Sequence, residues 1–245
     1  MSMGIFCSLD PDIIRAHILP RLDGTTLTIL SCVSSELRHM ICNNEDLWRN
    51  ICTSTWPSLL LDPIANNVIS TFPGGYRSFF SFNHHNNNSY SWYLFAELIH
   101  TIDIYLHGEP LLSRVLVGCL TTENTTLIYD STLGPTIHIP LKEGWFDYLT
   151  KNLTLSWIVI DPTRKCAVDL FHSYRNPLWF TGSSGGRNMI QFGIGMTRKG
   201  QLWPKMDICK LELTFDCKGC NDVDGDWLQL HLRRVVMVNH MLKVG

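Results

Sequence analysis

Hydrophobic and polar positions follow two different periods, and the change falls near residue 98. Before it the spacing is helical. Asp10-Pro11 is a start signal, because aspartate can cap a helix and proline fits its first position. Ile14, Ile18 and Leu22 recur every four residues and are expected to share a face. Ile13, Ala16 and Leu19 add apolar surface on other sides. Pro20 lacks an amide donor and should kink or end this helix early. Asp23-Gly24-Thr25 is a turn that opens a second short element carrying Leu27, Leu30 and Val33. Ser34-Ser35 can cap a third, with Leu37, Met40 and Ile41. Asn43-Asn44 breaks it, and Leu47, Trp48 and Ile51 form a last apolar cluster.

Residues 53–97 read as a connector. Trp56-Pro57, Pro63, Pro73-Gly74-Gly75 and the run from His84 to Asn88 are turn and loop chemistry. Yet Phe72, Tyr76, Phe79, Phe80 and Phe82 are too frequent for a free linker, so the expectation is a packed connector with a mobile loop near 83–89. From residue 98 the period is two. Ile102, Ile104 and Leu106 alternate with Thr101, Asp103 and Tyr105, and His107-Gly108-Glu109-Pro110 is a turn. Strand-like runs recur near 115–119, 125–130, 136–139, 153–160, 166–171, 189–196, 208–215 and 227–238, with glycine, proline or asparagine in most gaps. That spacing predicts a mostly antiparallel β-sandwich-like or open-barrel domain over 98–245.

Composition narrows the class. The 245 residues carry 20 basic and 22 acidic side chains, and charged residues make up 17%, below the usual ~25%. With no long Lys/Arg run, the chain is not expected to bind nucleic acid. Apolar runs fall short of the ~18 residues a membrane span needs, so no membrane is expected either. The N-terminal MSMGIFCSLDPD has neither basic nor apolar signal-peptide character. Nine cysteines at irregular spacing suit reduced thiols, which implies cytoplasm or nucleus.

Candidate chemistry is thin. Cys217-Lys218-Gly219-Cys220 is a lone CxxC, with Cys209, His231 and His240 as conceivable further ligands, but no second CxxC supports a zinc site. Asp222 to Asp226 superficially resembles a calcium loop, but Trp227 and Arg233 stand where glycine and glutamate are needed. The glycine-rich Thr181–Arg187 lacks the Lys-Ser/Thr ending of a phosphate loop. No spacing points to a catalytic group, a cofactor or a metal. Trp145, Trp157, Trp179, Trp203 and Trp227 could form a ligand platform, though aromatics are also ordinary sandwich filling.

The first fifty residues pose a physical problem. Of the 40 residues from Leu9 to Trp48, 18 are hydrophobic, yet about 40 residues rarely close a core without outside help. Those faces must pack on the β-rich half or on a second polypeptide. The ordered positions Leu9, Asp12, Ile13, Ile14, Ile18, Leu19, Leu22, Leu27, Val33, Leu47 and Trp48 resemble the F-box, a docking motif of about 40 residues. Two departures are visible: Asp10 separates Leu9 from Pro11, and Leu37 stands where many members carry tryptophan. The segments LWRNICTSTWPS and NLTLSWIVIDPTRKCAVDLF extend the resemblance to a group of plant F-box proteins.

The resemblance implies an α+β chain: a three-helix F-box over 1–52, the connector over 53–97, and a β-rich substrate-recognition domain over 98–245. It implies a non-catalytic subunit of a Skp–cullin–F-box (SCF) ubiquitin ligase, with a Skp-type adaptor, through it a cullin, and an unidentified protein substrate as partners. The adaptor-binding residues it implies are Leu9, Pro11, Ile13, Ile14, Ile18, Leu19, Leu22, Leu27, Leu30, Val33, Leu37 and Trp48. The alternative is a stand-alone, lectin-like binding module whose first helices merely cap its own core.

Overall fold

The computed structural model describes residues 10–85, 98–118, 125–131, 135–140, 144–169, 178–184, 187–197, 206–218 and 227–241. Helices come first and antiparallel sheets follow, so the α+β expectation holds.

The first helix does not follow the four-residue spacing. Asp10 caps α1 (Pro11–Ile13) by accepting from the Asp12 amide at 2.9 Å. The chain then widens into a π turn (Ile14–Ile18) and tightens into a 3₁₀ turn (Leu19–Arg21). Pro20 accounts for the widening: it has no N–H to donate to the Ala16 carbonyl, and its ring would clash there in a regular helix. The Leu19 amide reaches back to the Ile14 carbonyl instead. Residues five apart therefore share the inner face, so Ile14 and Leu19 are buried while Ile18 and Leu22 are half-buried.

The other helical starts follow local side-chain chemistry. Asp23 caps α2 (Gly24–Leu30), Ser34 caps α3 (Ser35–Cys42) and Asn44 caps α4 (Glu45–Thr55), each accepting from a backbone amide three residues on. Described residues 10–52 thus comprise α1 with its two irregular turns, α2, α3 and most of α4.

The connector residues described are largely helical. Here α5 (Ser58–Leu61), α6 (Pro63–Ser70, capped by Asp62) and α7 (Gly75–His85) pack against the earlier helices. Residues 83–85 of the expected mobile loop close α7, and 86–89 lie outside the described residues. Trp48 stacks at a tilt on Phe80 with ring centroids 5.5 Å apart, and Trp56 meets Phe79 edge-on at 5.4 Å. The Trp48 indole N–H donates to the Ile41 carbonyl at 2.9 Å, and the Tyr76 amide donates to Glu45 at 2.9 Å. The apolar excess of the first fifty residues is thus covered in large part by the next thirty. Close approach sets one position: a Cβ on Gly24 would lie 2.2 Å from the Phe80 ring.

The β half is two open antiparallel sheets, not a closed barrel. A four-stranded sheet has the order β2-β1-β5-β6, where β1 is Ile99–Leu106, β2 Glu109–Val117, β5 Leu153–Asp161 and β6 Cys166–Asp169. A six-stranded sheet has the order β3-β10-β9-β8-β7, with β4 also paired to β10. Its strands are β3 (Thr125–Asp130), β4 (Thr136–Pro140), β7 (Leu178–Ser184), β8 (Arg187–Thr197), β9 (Met206–Lys218) and β10 (Trp227–Met241). A short helix α8 (Trp145–Asn152) precedes β5. Along β10 the inward set runs Leu230, Leu232, Val235, and a register shift between Leu232 and Arg234 restores the face.

The four-stranded sheet is the middle layer. Ile102 lies opposite Trp157 and Ile104 opposite Leu155, and this face packs on Leu211, Leu213, Phe215 and Leu230 of the six-stranded sheet. The other face carries Ile99, Ile158, Ile160 and Ala167 and packs on the helices. Period two on a strand covered on both sides explains why β1 is buried from Ile99 to Ile104.

Candidate functional site

Burial sorts the twelve residues that the F-box resemblance singles out. Ile14, Leu19, Leu27, Leu37 and Trp48 lie inside the chain's own helical core. Ile18, Leu22 and Leu30 are half-buried at its margin. Pro11 is exposed, Ile13 is 46% exposed and Val33 67%. Leu9 lies outside the described residues. The sequence reading missed Ile29, which is 61% exposed on α2. The signal was present: Leu27, Ile29 and Leu30 fall on one short helix that cannot turn all three inward.

The outer side of this region therefore presents large aliphatic groups from α1 (Ile13), from α2 (Ile29) and just after it (Val33). Ile13 ends the short helix that Asp10 caps, Val33 immediately precedes the Ser34 cap, and Ile29 lies in the last turn of the helix that Asp23 caps. Asp23 accepts from the Thr26 amide and hydroxyl, both at 2.8 Å, and these bonds hold its carboxyl below the usual carboxylate range. Arg38 donates to the Ser31 carbonyl at 3.1 Å, tying α3 to the end of α2. The arrangement is fixed by main-chain and cap bonds, so it can offer apolar contact to a partner at little ordering cost. Among the described residues, no group of three or more His, Cys, Asp or Glu side chains is placed to hold a metal ion.

Behind this surface a polar clamp joins helices to sheet. Asp103 on β1 is fully buried and accepts from the Ser58 amide at 2.8 Å and hydroxyl at 2.6 Å. Burial pushes its carboxyl up, and hydrogen bonds from Ser113 and Ser58 oppose that push. On the opposite face, the Trp157 indole donates to His100 Nδ1 at 3.3 Å. Burial lowers the His100 imidazole to about 4. Cys52, buried beside α7, is pushed up by desolvation and by Glu45 and is a poor nucleophile.

The rival motifs fall on the sheet or outside the described residues. In the β9–β10 ladder Cys209 lies opposite Asn239, Cys217 opposite Leu230, His231 opposite Asp216 and His240 opposite Ile208. Cys220 and the run Asp222–Asp226 lie outside the described residues, as does Trp203. Of the glycine-rich run, Thr181–Ser184 lie on β7 and Arg187 opens β8, paired with Ser184, while Gly185 and Gly186 lie outside the described residues. Trp157 fills the space between the sheets. Among the described residues, no helix is long and apolar enough to cross a membrane.

Comparison with known proteins adds a family context. The chain is 34% identical over 216 residues to F-box protein At3g44326 of Arabidopsis thaliana, covering 79% of this chain and 58% of that protein. It is 37% identical over 190 residues to probable F-box protein At2g36090 of the same plant, covering 68% and 52% respectively. With F-box protein At2g27310, also from Arabidopsis thaliana, identity is 33% over 197 residues, covering 71% and 57%. The chain thus spans somewhat more than half the length of the curated relatives it matches. No family model matches it, and no solved structure does.

Proposed function

Because this chain belongs with the plant F-box proteins to which it aligns over most of its length, we propose that it is a substrate-receptor subunit of an SCF-type ubiquitin ligase. The observation that carries the reading is the exposed aliphatic set Ile13, Ile29 and Val33, left over on the F-box-like segment after its own core is closed. A Skp-type adaptor covers these groups together with Pro11 and the margin residues Ile18, Leu22 and Leu30, and links the chain to a cullin. The buried residues Ile14, Leu19, Leu27, Leu37 and Trp48 support that surface from within. The two-sheet half holds a target protein. The chain performs no covalent step; it raises the effective concentration of target lysines near a ubiquitin-charged enzyme. Free Cys32, Cys42, Cys52 and Cys166 support a reducing compartment, cytoplasm or nucleus.

The test is recovery of a purified Skp-type adaptor on the full chain. Ile13→Asp, Val33→Asp should lose most of the adaptor while unfolding at nearly the wild-type denaturant concentration. Charge at these two exposed sites disturbs a covered interface and little else. Equal recovery by wild type and variant overturns the docking assignment.

The stand-alone binding module shares one observation with this reading, since the helices do cover the four-stranded sheet. Capping leaves the outer aliphatic groups unexplained, and the relatives' names favour the receptor.

A further inference from the structure

We propose that the groove between the Pro20–Asp23 turn and α4 binds an extended, basic segment of a protein partner, seating one lysine or arginine side chain. The groove encloses about 500 Å³. Its lining includes the buried Leu47 and Ile51 with half-buried Leu22, the exposed carboxylates of Asp23 and Asp46, and the neutral polar Asn44, Asn50, Ser54 and Thr55. No described lysine, arginine or histidine lines it. An aliphatic stem ending in a cation matches that lining, with methylenes against the apolar side chains and charge at the carboxylates. An acidic side chain would meet two carboxylates and no counter-charge, and a purely apolar one would leave the carboxylates unanswered.

Two features make this a site for a segment and fix where its cation sits. A second groove of about 400 Å³ adjoins the first and shares Asn44 and Asp46 with it. That neighbour is lined by Arg15 and His39 beside Glu45, so a cation is better placed in the first groove. The scaffold is stiff where the contact is made. Asp23 is fixed by the hydrogen bonds it accepts from Thr26, and Leu47 by the hydrogen bond its backbone N–H donates to Asn44 Oδ1. The groove shares Leu22 with the margin assigned to the adaptor, whereas Asp46 and Ile51 lie on α4, so the peptide is tested with no adaptor present.

The probe is an acetylated, amidated pentapeptide, alanine–leucine–arginine–leucine–alanine, titrated into the full chain and followed by the methyl signals of Leu22, Leu47 and Ile51. Its control replaces arginine with citrulline, which keeps the shape and removes the charge. The arginine peptide should bind about tenfold tighter than the citrulline peptide at low salt, and the gap should narrow as salt rises. The double variant Asp23→Asn, Asp46→Asn should erase the gap. Asparagine caps helices as well as aspartate does, so α2 keeps its start. The inference is overturned by equal binding of the two peptides, by a gap that survives in the variant, or by no saturable binding of the arginine peptide at millimolar concentration.

Discussion

Toward the six-stranded sheet, β1 and β5 present Ile102, Ile104, Leu155 and Trp157; toward the helices the same strands present Thr101, Asp103, Ser156 and Ile158. The first face is sealed by apolar packing with one buried histidine set against an indole. The second is keyed by a carboxylate that meets one helix start. Apolar packing is strong but non-directional, whereas a buried hydrogen-bonded carboxylate specifies one registration of helix on sheet. The sheet thus glues its sandwich side by area and indexes its helical side by direction.

The largest effect expected from upsetting this arrangement is on the sandwich side. Trp157→Ala empties the space between the sheets and should cost about 4 kcal/mol in urea unfolding. A loss below about 1 kcal/mol would mean that the sheets close up without it. The same face carries the strongest pH dependence. In the unfolded chain His100 takes a proton near 6.5, and in the fold only at about 4. The unfolded state therefore binds more protons between these values, and stability rises with pH across that window. His100 costs nothing above pH 6.5, and about 3 kcal/mol is lost as pH falls to 4. Urea titrations of wild type and His100→Leu over pH 4–7 check this, and parallel curves for the two would count against it.

Asp103 has the opposite sign. Its folded carboxyl is raised, so the fold binds protons more readily and stability falls as pH rises between 3.8 and the folded value. Asp103→Ala strands the Ser58 amide and hydroxyl without their acceptor but removes a buried charge. A net loss of about 2 kcal/mol at pH 7 is expected from equilibrium unfolding. No loss would reduce the clamp to a bystander. Gly24→Ala is next, at about 1 to 2 kcal/mol, because the added methyl must displace the Phe80 ring. A chemical-denaturation curve unchanged from wild type would show that Phe80 has room to swing. The smallest effect on stability belongs to Ile13→Asp, Val33→Asp, within about 0.5 kcal/mol, although this pair is expected to lose most of the adaptor. A large stability loss there would place both side chains in the core after all.

Much of the architecture was legible along the chain. The caps at Asp10 and Ser34 are local hydrogen-bonding chemistry, complete within four residues, whereas Asp23 read as a turn and proves to cap α2. The strands from Ile99 to Leu106 and from Leu153 to Asp161 show in their composition and turn signals. The helical character of 53–85 was partly legible, since Phe72, Tyr76, Phe79 and Phe80 recur at spacings of four and three. Prolines and glycines at Pro57, Pro63, Pro73, Gly74 and Gly75 drew the reading toward loops. In the fold, Pro63 opens a helix and Gly75 begins another.

Residue order and chemistry were enough to separate the first helices from the strands, place the caps at Asp10 and Ser34, and mark an F-box-like stretch, because these depend on neighbours a few positions apart. Which of Ile13, Ile14, Ile18 and Leu19 would face outward was settled by packing. One widened turn before Pro20 shifts the inner face from four-residue to five-residue spacing. The pairing of Asp103 with Ser58, 45 residues away, was likewise beyond any local pattern, since a lone aspartate in a strand says nothing of which helix will cover it.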